Sequence, residues 1–327
     1  MRIDHEKIIQ LLEQSPLFTT LDESGLNRLA GLFQQDVYRN GEVIFDVGDP
    51  SEAMFIVFEG QAKLSLAETS EVRELATLHR GDVFGEEALL YDDPRYYQAI
   101  AMGETILLHL DVGHYTYIAE GLTGFEELLE VSIDSRRLSI RTSLPWLHED
   151  EYVHVMTRRH PALLWSKLTA PIVLGIGVLL FSMLLAFQWL PERPYGWIVL
   201  AIGLSITILW LVWAFIDWLN DYLVVTNKRV AWIEKVALIY ESRQEAPLRT
   251  IMSVGLKRSR LGSMLDYADV VVLTYVGTIR LRDLAHAEAI ASLVESYWHR
   301  SGSINRREES QVMSQLLHDK LDLPWGD

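Results

Sequence analysis

Two blocks of unbroken hydrophobicity divide the chain. No charged residue lies between Lys167 and Glu192, nor between Arg193 and Asp217. At about 1.5 Å rise per residue, helices over 168–190 and 195–217 would each run about 34 Å, enough to cross a hydrocarbon core of about 30 Å. A transmembrane hairpin over 163–219 is therefore expected. Before it the pattern is different: after a short helical lead-in come brief apolar or alternating runs at Glu42–Phe45, Met54–Phe58, Ala62–Leu66, Val72–Leu78 and Ile100–Leu110. Ala62, Leu64 and Leu66 alternate with Gln61, Lys63 and Ser65, the period of a strand with one buried face. Gly41, Gly48, Gly60 and Gly81 punctuate these runs where turns call for positive φ. A closed antiparallel roll over 1–140 hides the edges that such a series of strands would otherwise expose.

The period then lengthens. Within Tyr115–Arg137, the residues Phe125, Leu128, Leu129 and Ile133 recur at helical spacing. Mixed polar residues with Pro145 and the acidic run Glu149–Glu151 make 141–162 a linker. Beyond the second apolar block, Tyr222–Thr226 and Val230–Ile233 read as strands joined through Asn227, Lys228 and Arg229, and Val270–Tyr275 with Thr278–Arg282 as a second hairpin around Gly277. Ile290, Leu293, Val294 and Tyr297 mark an amphipathic helix that closes this small sheet. The expected fold is a multidomain membrane protein: an N-terminal β-roll with flanking helices, a two-helix hairpin, and a small β-sheet domain closed by a helix over 220–300. A tail follows over 301–327, with a short helix expected at Glu308–Leu321.

Charge sharpens this organisation. The formal net charge of −16 argues against a nucleic-acid partner, since phosphate backbones are held by clustered cations. Arg158, Arg159 and Lys167 precede the first block and Lys228, Arg229 and Lys235 follow the second, while only Arg193 lies between. The positive-inside bias puts both termini in the cytoplasm and the chain in the inner membrane with two spans. Trp165, Trp189, Trp197 and Trp218 lie near span ends, as interfacial rings do. With no cysteine in the chain, thiolate metal sites and disulfides are excluded.

Candidate chemistry is concentrated in one stretch. The residues Tyr38, Gly41-Glu42, Ile44-Phe45, Gly48-Asp49 and Met54-Phe55-Ile56-Val57, then Gly60, lead to Gly81-Asp82, Phe84-Gly85-Glu86, Ala88-Leu89-Leu90 and Pro94-Arg95. This run resembles the cyclic-nucleotide-binding domain family, and its second half resembles that family's phosphate-binding cassette. The resemblance implies a cyclic mononucleotide as ligand, with Gly85, Glu86, Ala88, Leu89, Arg95, Tyr96 and Tyr97 at the site. Arg95 supplies a planar, bidentate cation for a phosphodiester. Gly85 would let the backbone approach, and the resemblance implies that Glu86 accepts the ribose hydroxyl and that Leu89 contributes to the wall. The resemblance further implies that the helix after the roll acts as a lid and carries the signal. Small residues usually follow the arginine in this family; Tyr96 and Tyr97 stand there instead, so a site closed by its own side chains stays open as an alternative.

Around the hairpin, Glu151-Tyr152-Val153, Arg159-His160-Pro161, Asp217, Asn220-Asp221-Tyr222, Val224, Thr226-Asn227, Arg229, Pro247-Leu248 and Ile251 resemble the bacterial pleckstrin-homology-like membrane proteins. Arg229 is there a candidate headgroup contact or membrane anchor. His148, Glu149, Asp150 and His154 are the nearest approach to a metal cluster, better read as a solvated linker face. No Gly-x-x-x-x-Gly-Lys loop, His-Glu-x-x-His pair or Gly-x-Ser-x-Gly elbow occurs, so no catalytic site and no cofactor are expected. Three readings follow: a cyclic-nucleotide-responsive membrane receptor or regulator, a homo-oligomeric pore gated by such a nucleotide, or a degenerate site serving oligomerisation or docking.

Overall fold

The computed structural model describes residues 3–67, 72–122, 124–142, 144–148, 151–185, 195–219, 221–236 and 240–302. Helices α1 (His5–Glu13) and α2 (Glu23–Ala30) open the chain. They bury Leu11, Leu12 and Leu29 against the outer face of a six-stranded antiparallel roll. Its strands are β1 (Gln34–Tyr38), β2 (Val43–Phe45), β3 (Ala53–Ala67), β4 (Val72–Leu78), β5 (Val83–Phe84) and β6 (Gln98–Asp111), in the order β1-β6-β3-β4, with β2 on β6 and β5 on β3. The alternation read in the sequence holds through Ala62 and Leu64, which point into the roll and join Phe45, Phe55, Phe84, Tyr97, Ala99 and Leu107 in its core; a register shift between Leu64 and Ser65 then breaks it, burying Ser65 and leaving Leu66 only partly buried.

The single helix expected over Tyr115–Arg137 is broken. Short α3 (Val112–Thr116) ends early, and α4 (Phe125–Arg141) restarts after Gly124, whose φ of 78° lies in the left-handed region that an L side chain resists. Continuous 3.6-residue spacing in the sequence hid this stop.

The supposed linker over 141–162 holds a larger difference. Val153–Arg158 is a strand, β7, paired antiparallel with β8 (Tyr222–Thr226). The C-terminal sheet thus begins before the two apolar helices, α5 (Pro161–Leu184) and α6 (Tyr195–Leu219), which are set into it as an insertion. Both helices are long and apolar enough to cross a membrane. They contact one another closely at glycines: a Cβ on Gly203 would sit 2.3 Å from Val178. Lys167 and Asp217 pair between them at 2.6 Å. Trp189 and the expected turn fall outside the described residues, as does the Glu308–Leu321 helix.

Strands β9 (Arg229–Val236) and β10 (Tyr240–Pro247) complete a four-stranded sheet in the order β10-β9-β8-β7. A three-stranded sheet packs beside it: β11 (Ile251–Lys257), the short helix α7 (Arg260–Leu265), β12 (Tyr267–Thr274) and β13 (Thr278–Ala285). Helix α8, over 287–302, closes the end, burying Ile290, Leu293 and Val294. The roll and this domain share one buried apolar cluster, which runs from Ile8 and Leu128 to Leu223 and Val294.

Candidate functional site

The cassette starts where β5 ends. Gly85 has φ 72°, and a Cβ there would lie 2.9 Å from Arg95 Nη1 and 3.2 Å from the Ala53 carbonyl. Only glycine leaves room for the guanidinium against this backbone. A 3-10 turn, Glu86–Leu89, follows, with all four residues buried. Arg95 is fixed along its own backbone: its N–H donates to Asp49 O at 2.9 Å and its carbonyl accepts from Gly48 N at 2.8 Å.

The guanidinium, 3% exposed, is held on several sides. Nη1 donates to Glu87 Oε1 at 2.9 Å and to Gly85 O at 3.1 Å, Nη2 donates to Ala53 O, and Cζ lies 4.3 Å from the centre of the Phe45 ring. The carboxylate facing Arg95 is thus Glu87, not Glu86. Tyr97 is wholly buried; its hydroxyl accepts from Gly85 N at 2.7 Å and donates toward Glu87 Oε2 at 3.4 Å. Its ring meets Phe45 edge-on at 5.3 Å. A cation and a backbone amide of the kind that would hold a phosphodiester are therefore engaged by the chain's own Glu87 and Tyr97.

Glu86 turns the other way, to α4. Its Oε1 accepts from Ser132 Oγ at 3.0 Å and from Arg136 Nε at 3.1 Å, and Arg136 Nη2 also reaches Val83 O at 3.0 Å. Glu86 Oε2, Arg95 Nε and the Tyr96 hydroxyl are buried without a hydrogen-bond partner. Ala88 and Leu89 are buried, Leu89 against the helical layer, while Tyr96 packs edge-on to Tyr97 and lies 5.9 Å from the Arg137 guanidinium.

Electrostatics follow from burial. Burial pushes the Glu87 carboxyl above its usual range and the neighbouring Glu86 adds to this, with Arg95 opposing. Burial raises both tyrosine hydroxyls, most strongly Tyr97. It works against the charge on Arg136, but Glu86 beside it holds that guanidinium above its ordinary value.

Helix α4 connects this site to the rest of the molecule. Ser135 Oγ accepts from Met156 N of β7 at 2.6 Å. One strand later the chain enters α5, whose N-cap His160 accepts from Ala162 N through Nδ1 at 3.0 Å. His154 of β7 stacks on Tyr297 at 3.8 Å, and burial pushes its ring down to about 3. A cavity of about 510 Å³ lies beside it between β4, α4 and β7, lined by Arg73, Ser132, Arg136, Ser139 and Leu144 among others, none of them from Gly85–Tyr97.

Glu87, Ser132, Ser135 and Arg136 were missed in the sequence. The available signal was polarity in an unusual place: a second acid, Glu87, directly before the apolar run Ala88-Leu89-Leu90, and Ser132 and Arg136 four residues apart on the helix that carries Leu128 and Leu129. Of the four metal candidates, Glu149 and Asp150 lie outside the described residues, and no metal-binding group occurs among the described ones. Arg229, the candidate headgroup contact, is bound internally: Nη2 reaches Glu151 Oε2 at 2.6 Å and Nη1 reaches Glu245 Oε2 at 2.9 Å, under the Trp146 ring.

Comparison with known proteins agrees with this division. Residues 35–119 match the cyclic nucleotide-binding domain family, and 171–298 match the bacterial PH domain family. The chain is 34% identical over 115 residues to the cGMP-dependent protein kinase egl-4 of Caenorhabditis briggsae, covering 34% of this chain and 15% of the kinase. It is 33% identical over 94 residues to a cAMP-dependent protein kinase regulatory subunit of Blastocladiella emersonii, covering 28% and 23%. The chain thus spans less than a quarter of the length of these curated relatives. Among solved structures, the regulatory domain of Toxoplasma gondii PKA with cAMP is similar at 28% identity and a TM-score of 0.35, over 39% of this chain and 49% of that one. The N-terminal domain of a Streptomyces coelicolor transcriptional regulator is similar at 26% identity and a TM-score of 0.35, over 40% and 94%. The chain carries an N-terminal cyclic nucleotide-binding domain and a C-terminal bacterial PH domain, with two long apolar helices inserted between the strands β7 and β8 of the latter's sheet.

Proposed function

We propose that this chain is a non-enzymatic, cyclic-nucleotide-responsive membrane regulator, anchored by a hairpin that crosses the bilayer twice with both termini in the cytoplasm. Its roll rests in a self-neutralised state. In that state Glu87 pairs with Arg95, and a nucleotide phosphate binds by taking its place. The observation that carries this reading is the route out of the cassette: Glu86 is tied to Ser132 and Arg136, and Ser135 of the same helix is tied to β7. Displacing Glu87 moves the turn that holds Glu86, and through α4 shifts the strand leading into the membrane. The three unpartnered polar atoms on Glu86, Arg95 and Tyr96 support a polar ligand, because buried groups without partners are costly. A ligand shifts such an equilibrium only by its difference in affinity for the two states.

A second reading is favoured by Tyr97, whose ring is wholly buried in the roll core. In it, the Arg95–Glu87 pair is permanent and the roll serves as a docking or oligomerisation module. Equilibrium binding of cyclic AMP and cyclic GMP to the full chain, with Arg95→Ala as control, separates the two. Saturable binding lost in the control supports the regulator, and absence of binding supports the module.

A further inference from the structure

One end of the PH domain gathers features that the cassette does not use. Residue pairing in the three-stranded sheet puts Lys257 opposite Asp269 and Tyr267 opposite Ala285, so the end of β11, the start of β12 and the end of β13 share one edge of the domain. That same edge receives the first apolar helix. His160, its N-cap, donates its backbone N–H to Asp283 O at 2.8 Å, Arg159 bridges to Leu284, and the His160 ring lies 5.7 Å from the ring of Tyr267. Helix α7 packs on the same tyrosine: a Cβ on Gly262 would lie 3.3 Å from Tyr267 Cε2. Thus α7 stands one side chain away from the base of the hairpin.

Its outward side is apolar. Leu261 is 63% exposed, Met264 81% and Leu265 50%. They recur at i, i+3 and i+4, so they form one patch. Lys257, Arg258 and Arg260 immediately precede it. Arg258 is engaged by Glu288 at 3.0 Å, Asp266 caps the helix and Asp269 stands opposite Lys257 in the sheet, so three acids offset the three cations, while among the described residues Lys257 and Arg260 form no ion pair of their own. The opposite end of the sheet, with Thr250, Thr274 and the exposed turn at Tyr275 and Val276, lies away from the hairpin.

We infer that α7 and its preceding cations are a bilayer-surface contact: Leu261, Met264 and Leu265 enter the interface beside α5 while Lys257 and Arg260 meet anionic headgroups. The charge-free run of α5 begins at residue 168, so the cap at His160 stands about 12 Å out from it along the helix, which sets α7 on the headgroup side of the hydrocarbon core. An apolar face flanked by cations is the pattern that settles there. This inference rests on the hairpin crossing the membrane, but it concerns a different surface.

The chain has no cysteine, so single nitroxide labels at Met264→Cys, Tyr275→Cys and Ile206→Cys report depth in the full-length protein reconstituted in phosphatidylserine-containing vesicles. The expected result is a label deep in the hydrocarbon at 206, an interfacial one at 264, colliding with oxygen several-fold more than with an aqueous nickel complex, and a fully aqueous one at 275. A deep 206 with 264 as aqueous as 275 overturns the surface contact and leaves the spanning hairpin intact. An aqueous 206 overturns both. A 264 label shielded from both reagents signals a protein partner or a second copy, and also overturns it. Lys257→Gln with Arg260→Gln is expected to shift the 264 label toward water in anionic vesicles and not in phosphatidylcholine alone; no shift overturns the headgroup role.

Discussion

Replacing Glu87 by glutamine keeps the shape of the side chain and removes the charge that neutralises Arg95. Arg95 is 3% exposed and Glu87 is fully buried. Removing one partner of such a pair ordinarily costs about 3–5 kcal/mol, because the remaining charge is left uncompensated. Here the loss is smaller. Arg95 keeps its bonds to Gly85 O and Ala53 O and the face of Phe45, and the new amide oxygen retains a neutral bond worth about 1 kcal/mol. We expect a net local destabilisation of about 2–3 kcal/mol, equivalent to amide exchange about 30- to 150-fold faster at Gly85, Ala88, Tyr91 and Arg95 if the cassette opens as a unit. A phosphodiester that settles on the freed guanidinium reverses this: ligand at a hundred times its Kd returns about 2.7 kcal/mol. Hydrogen–deuterium exchange on the full chain in lipid discs, with and without cyclic AMP or cyclic GMP, reads both effects. Unchanged exchange in Glu87→Gln without ligand would refute the claim that Glu87 neutralises Arg95. Faster exchange that no nucleotide slows would refute the claim that a phosphate takes its place.

Further outcomes follow from the same geometry. Burial holds the Glu87 carboxyl above the ordinary 4.5, so its charged pairing with Arg95 is lost as pH falls through that raised range. A neutral Glu87 also releases Arg95, so nucleotide affinity is expected to rise as pH falls through that range, and to stay flat in Glu87→Gln; titration calorimetry at several pH values checks this. The depressed value of His154 gives stability that is present above 6.5 and lost as pH falls toward about 3. Because it lines the cavities beside β7, we discount this to at most about 1 kcal/mol per pH unit, seen as acid-induced exchange in β7 that His154→Phe suppresses. Ser135→Ala leaves the Met156 N–H without its acceptor, a loss of about 1–3 kcal/mol read as faster exchange at that amide. Tyr97→Ala empties the roll core beside Phe45 and is expected to cost about 3–5 kcal/mol, measured as a lowered unfolding midpoint.

Much of the architecture was legible because it is local. The two charge-free blocks, the alternation through Ala62 and Leu64, and the hairpin through Asn227–Arg229 each lie within one stretch of chain. Strand β7 was not legible: Val153–Arg158 pairs with Tyr222–Thr226 across the whole apolar hairpin, and nothing in its own six residues names so distant a partner. The site divides in the same way. The run from Gly85 to Tyr97 was visible by resemblance, yet which of two adjacent acids faces Arg95 depends on the turn after Gly85, which sends Glu87 inward and Glu86 to α4. Arg229 was assigned to the membrane from its position near α6. The direction of β8 carries it to the far end of the sheet, where Glu151 and Glu245 hold it.

The central claim is that the state of the cassette reaches the strand that leads into the hairpin. Amide exchange across Val153–Arg158 in the full chain, with and without the bound nucleotide and with Arg136→Gln beside the wild type, tests it most directly. The account predicts a nucleotide-dependent change in β7 that disappears in the variant while the cassette still responds. A cassette that responds in the wild type while β7 does not would contradict it.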